Sequence, residues 1–139
     1  MKTKHILIVL IGMLMPLAAK AQQQPLTPEQ EEKKMREGIE QLVLHYEETL
    51  DLEVWQTFYV DSILVHNYTA MSEETKALAE NRVENAELYQ MISDKWENAT
   101  YEAFRKILDD AQWKKYLKGG ASRAKKSRDI RAAKRERRK

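Results

Sequence analysis

Leu26-Thr27-Pro28-Glu29-Gln30 is a helix start written out in full. Thr27 offers an N-cap hydroxyl, Pro28 sits at N1 where its missing N–H costs nothing, and Gln30 at N3 can reach back to the backbone N–H of the cap. Behind it, Met35, Ile39, Leu42, Val43, Tyr46 and Leu50 recur at helical spacing, while Glu32, Lys33, Arg36 and Glu40 lie elsewhere on the cylinder. Gly38 within this pattern costs about 1 kcal/mol relative to Ala, which such a helix tolerates. An amphipathic helix needs other elements to cover its apolar face, so the next question is what those elements are.

Thr49, Leu50 and Asp51 offer a second start. Leu52, Trp55, Phe58, Tyr59, Val60, Ile63, Leu64 and Val65 follow, rich in the β-branched and aromatic residues that favour strands. Two facts favour a helix: Leu52, Trp55, Tyr59, Ile63 and His66 keep helical spacing, and no partner strand is evident elsewhere. Residues 67–71 predict a break, with Ser72 capping a further helix that Glu73 and Glu74 suit. From Ser72 to Leu108 there is neither Gly nor Pro. One helix over that run would be about 55 Å long, against about 35 Å for a compact sphere of this chain length. The run therefore either bends near residues 81–85 or makes the molecule elongated; the elongated form is the expectation. Asp109, with Gln112 at N3 and Leu108 placed to pack on Trp113, starts another helix, and Gly119-Gly120 ends it. The expected fold is all-α: an elongated helical hairpin of two to four helices with a flexible basic C-terminal tail.

Export is the expectation for the first residues. Lys2 and Lys4 precede an apolar run from Ile6 to Met15, and Ala19-Lys20-Ala21 supplies a small-x-small cleavage pattern. The run is too short for the roughly 20 apolar residues of a membrane span. Residues 1–21 are thus expected to be a signal peptide, 22–118 a helical domain and 119–139 a basic tail. With no cysteine in the chain there is no disulfide and no lipidated Cys, so burial alone must hold the fold.

The net charge of +2 conceals a strong polarity. Between Gln22 and Trp113 stand 8 basic and 20 acidic residues; from Lys114 onward, 13 basic and 2 acidic. Ile130 is the one large apolar residue after Gly120, so the tail cannot bury enough surface to order itself alone; it is expected to be disordered or a lone solvated helix. Arg123, Lys125, Lys126, Arg128, Arg131, Lys134, Arg135, Arg137, Arg138 and Lys139 form a candidate site for anionic lipid, lipopolysaccharide phosphates or an acidic partner. Nucleic acid is a poorer match, since the tail beyond Tyr116 has no aromatic ring to stack bases. The plainer reading is a solubilising tail, or one folded back on the acidic body.

Three pentads share a Leu-x-x-x-Gln frame: Leu26 to Gln30, Leu52-Glu53-Val54-Trp55-Gln56 and Leu108-Asp109-Asp110-Ala111-Gln112. In the second, Glu53 is a poor cap and Asp51 a better one, which leaves that copy open as a coincidence. An exported helical chain with Leu-Thr-x-x-Gln repeats resembles the Spy/CpxP family of periplasmic proteins. The resemblance implies a curved helical hairpin that dimerises into a cradle. It also implies an ATP-independent chaperone, an accessory of an envelope-stress sensor, or a metal-binding stress protein. The family's concave face is typically basic, whereas this body is acidic.

Catalysis has no candidates: two histidines remain after the signal, with no Cys and no nucleophile–base–orienter set. No cofactor is expected. His45 with Glu48 is an i, i+3 pair, and His66 a third weak metal candidate, but three or four ligands are required. The aromatic residues are more promising. Leu52, Trp55, Phe58 and Tyr59, with Tyr89, Trp96 and Phe104, are the candidate client or dimer surface. A thin hairpin has little interior to shelter such rings, and a homodimer holding unfolded envelope clients follows as the expectation.

Overall fold

A computed structural model describes residues 25–139; the signal-peptide reading and most of the polar leader lie outside the described residues. Five α-helices follow one another: α1 (Pro28–Leu50), α2 (Val54–Glu80), α3 (Ala86–Ile107), α4 (Asp110–Tyr116) and α5 (Ser122–Glu136), with a wide turn at Leu117–Ala121 between the last two. No strand occurs among the described residues, and the fold is all-α.

The first helix starts as its sequence dictates. The Gln30 N–H donates to Thr27 Oγ1 at 3.3 Å while the Thr27 N–H donates to Gln30 Oε1 at 3.0 Å. It stops at Asp51, which turns left-handed at φ 50°. The second helix runs unbroken through residues 67–71, where a break was expected. Asn67 is buried there, and its Nδ2 donates to Thr100 Oγ1 of α3 at 2.9 Å. An amide that would otherwise compete with the helix backbone is satisfied by the neighbouring helix instead.

The run from Ser72 to Leu108 is not one long rod. It folds back at residues 81–85, the bend weighed as the lesser alternative, so that α2 and α3 form an antiparallel hairpin. Arg82 takes the left-handed conformation (φ 54°), Asn85 Oδ1 caps α3 by accepting from the Glu87 N–H at 2.9 Å, and the Tyr89 hydroxyl donates to Val83 O at 2.8 Å. α1 packs on α2, and α4 returns to α1. The core is small: Ile39, Val43 and Leu50 from α1, Val60 and Leu64 from α2, and Phe104 and Leu108 at the end of α3. Tyr46 and Tyr116 flank Phe104, each with its ring centroid 5.2 Å away.

Two helix starts meet beside this core. The Gln56 Nε2 donates to Ile107 O at 2.9 Å and to Gln112 Oε1 at 2.7 Å; the Gln112 Nε2 donates to Asp51 O at 3.3 Å and to Gln56 Oε1 at 2.9 Å. Each Oε1 also accepts the N–H of its own cap residue, Glu53 or Asp109. The second pentad therefore does form a helix start, with Glu53 as the cap, while Asp51, expected to be the better cap, ends α1 instead. Both glutamines are buried, and the two starts tie the α1–α2 and α3–α4 corners together as near-symmetric halves of one knot.

The basic tail is neither disordered nor solvated on all sides. α5 runs back antiparallel along α3, the arrangement in which the tail folds onto the acidic body of its own chain. Gly120, at φ 118°, makes the reversal, a backbone angle that a side chain disfavours.

Candidate functional site

The start of α2 carries the most exposed aromatic group of the described residues. Val54, Trp55, Phe58 and Tyr59 are 89%, 49%, 67% and 51% exposed, and they share one side of the helix. The opposite side, through Gln56, Val60, Leu64 and Asn67, is buried. The helix is thus apolar on two opposed faces, of which the chain covers one. The Tyr59 ring stands edge-on to both Trp55 (6.1 Å) and Phe58 (5.8 Å). Glu53 Oε2 accepts the Trp55 indole N–H, so the cap residue of the motif also positions the first ring.

The remaining candidates do not join this group. Phe104 is fully buried in the core, Leu52 is half-buried against it, and Tyr89 clips the α2–α3 turn. Trp96 is half-buried: its Nε1 donates to Glu74 Oε1 at 3.2 Å, Lys95 lies over its ring, and His66 meets it edge-on. The expected surface therefore divides into an exposed patch at the α2 start and a set of structural rings. Val54 belongs to the patch and was missed; its one-turn spacing from Phe58 was the available signal. Of the motif leucines, Leu108 is buried and Leu26 exposed.

The cations of α5 divide as well. Asp94, buried at 3% exposure, receives Arg131 Nη2 at 2.6 Å and Arg131 Nε at 3.0 Å, with Arg135 at 3.3 Å. Arg128, also buried, donates to Glu97 Oε2 and Asn98 Oδ1, and Arg138 reaches Glu87 at 3.0 Å. The Arg131 hydrogen bond holds the Asp94 carboxyl below the usual carboxylate range, against the opposing effect of burial, and raises Arg131 in turn. Lys125 and Lys139 pair within their own helix end, with Asp129 and Glu136. Arg123, Lys126, Lys134 and Arg137 have no carboxylate partner among the described residues. Helical geometry places them with the 60%-exposed Ile130 in one outward stripe.

His45 and Glu48 are exposed on α1, and the described residues hold no group of three or more side chains placed to bind a metal. No helix among the described residues is long and apolar enough to cross a membrane. Compared with known proteins, the chain matches no family model, no curated protein and no solved structure.

Proposed function

We propose that this is an exported envelope protein that holds unfolded clients, or a regulatory partner, on the aromatic face at the α2 start, without nucleotide, cofactor or catalysis. The observation that carries this reading is the joint exposure of Val54, Trp55, Phe58 and Tyr59 opposite a buried stripe. Large rings displayed together give substantial contact area at little conformational cost. The resemblance to the Spy/CpxP family supports a periplasmic chaperone or stress-accessory role, and the seam of a homodimer is the alternative use of the same face. In an aggregation assay with an unrelated unfolding protein, several-fold excess of purified protein is expected to suppress light scattering. The Trp55→Ser/Phe58→Ser variant is expected to lose that effect while keeping its helicity. Undiminished suppression by the variant sinks the proposal.

A second reading is favoured by the outward stripe of α5. Four cations without carboxylate partners around one exposed Ile130 suit an anionic membrane or lipopolysaccharide surface. Changing Arg123, Lys126, Lys134 and Arg137 to Gln is expected to abolish binding to phosphatidylglycerol liposomes; binding that survives the change rules this reading out.

A further inference from the structure

A cleft of about 450 Å³ opens where all five helices converge. Leu42 and Leu50 of α1 and Leu64 and Met71 of α2 give it apolar walls; Trp96 and Thr100 come from α3, Tyr116 from α4, and Ala124 and Arg128 from α5. Its volume lies within the range of small-ligand sites, which are mostly apolar with a few polar groups fixing orientation.

Of the polar groups on its walls, Asn67 Oδ1 is an acceptor left open among the described residues, but the open donors outnumber it. Thr49 Oγ1 donates to His45 O, and Thr100 Oγ1 donates to Trp96 O while accepting from Asn67. Both Glu97 carboxylate oxygens are engaged, by Ser93 and by Arg128. By contrast the hydroxyls of Tyr46, Tyr68 and Tyr116 make no hydrogen bond among the described residues. Arg128 donates through Nε and Nη1, and its Nη2 has no acceptor among them. A phenol is protonated at neutral pH in any case, and burial pushes all three tyrosine hydroxyls further above their ordinary range. None of these donor atoms is sealed in the interior, and solvent-accessible donors without a protein acceptor beside an apolar wall suit a ligand that brings an acceptor-rich end on an apolar body.

We infer that the cleft binds one fatty-acid-like amphiphile per chain, its chain against the leucine and methionine walls and its carboxylate received by the tyrosine hydroxyls and Arg128. This goes beyond the client-holding face, which lies on the other side of α2 and shares none of these residues.

The test is displacement of the fluorescent fatty acid cis-parinarate from purified protein by laurate, with calorimetry for stoichiometry. Laurate is expected to bind saturably, one molecule per chain. Methyl laurate, which lacks the charge, is expected to bind at least tenfold more weakly. Tyr68→Phe and Tyr116→Phe, which keep the rings, are each expected to weaken laurate about fivefold. Ala124→Trp, at an exposed position on the cleft wall, is expected to abolish binding without lowering helicity. Equal affinity for the acid and its ester, undiminished binding to Ala124→Trp, or many molecules per chain would each overturn the inference. So would an apolar peptide that displaces parinarate where laurate does not, since that would make the cleft a client site.

Discussion

The glutamine knot and the α3–α5 clasp both join distant parts of the chain through polar side chains, yet they are built on opposite principles. Gln56 and Gln112 are neutral, buried and reciprocal, with each amide working as donor and acceptor at once. The clasp is ionic, and two arginines converge on the single carboxylate of Asp94. A neutral amide pair is indifferent to pH and salt but leaves several groups unsatisfied if either half is removed. The centre of the clasp, resting on that one carboxylate, can be undone by a proton or by one substitution, while Arg128 on Glu97 and Asn98 and Arg138 on Glu87 hold either side of it. The corner that frames the core is fixed by the first device, and the cationic helix is held by the second.

The largest effect expected is at the knot. Gln112→Leu takes from the Gln56 amide its bonds to Gln112, leaving it only Ile107 O and the Glu53 N–H, and strips the Asp51 carbonyl and the Asp109 N–H of their partner; it should lower unfolding stability by about 3 kcal/mol in urea titration. Gln56→Leu should cost about as much, and the double variant less than the two together; strict additivity would show that the amides do not act as a unit. Next comes Asp94→Asn, expected to cost about 2 kcal/mol, below the value for a fully buried pair because Arg131 is partly exposed. It should also loosen the middle of α5, read as faster amide hydrogen exchange around Arg131 and Arg135, with less change near Arg128, which keeps Glu97 and Asn98.

Acid should separate the two devices without mutation. The folded Asp94 carboxyl titrates below its ordinary value, so its contribution is complete above about pH 4 and fades as pH falls through the lower folded value. Exchange protection in α5 should persist at about pH 5 and fall in more acidic solution, while the knot adds no titration of its own. Release of α5 already near neutrality would contradict the assignment. The smallest effect is expected on the outward stripe: Arg123, Lys126, Lys134 and Arg137 changed together to Gln should shift stability by less than about 0.5 kcal/mol.

Much of the helical fold was legible because its signals are local. The starts at Thr27 and Asp109 are capping boxes that any reader of spacing can find, and both form. The failures share a cause, namely that distant contacts override local preference. Asn67 signals a break, but its amide is met by Thr100, thirty-three residues away. The turn at residues 81–85 lacks glycine and proline, and Arg82 takes the left-handed angle that a glycine would have announced. The tail has almost no apolar periodicity, so its charge could suggest a return to the acidic body but not the face of α3 that it meets. Arg128, Arg131, Arg135 and Arg138 nevertheless keep helical spacing, and Glu87, Asp94 and Glu97 offer a matching row on α3. Of the aromatic site, Trp55, Phe58 and Tyr59 were found from their clustering; that Phe104 and Tyr89 are structural depends on packing the sequence does not display. The cleft, drawn from every helix, had no local signal at all.

Gly120 gives this arrangement its direction. An L-amino acid there would oppose the backbone angle by about 1–2 kcal/mol and favour an uninterrupted extension of α4. A charged rod of about 22 Å would then project into solvent, its guanidinium groups beyond the reach of α3 and the apolar hollow left with one side missing. The heading of a whole limb of the molecule thus depends on one position being achiral.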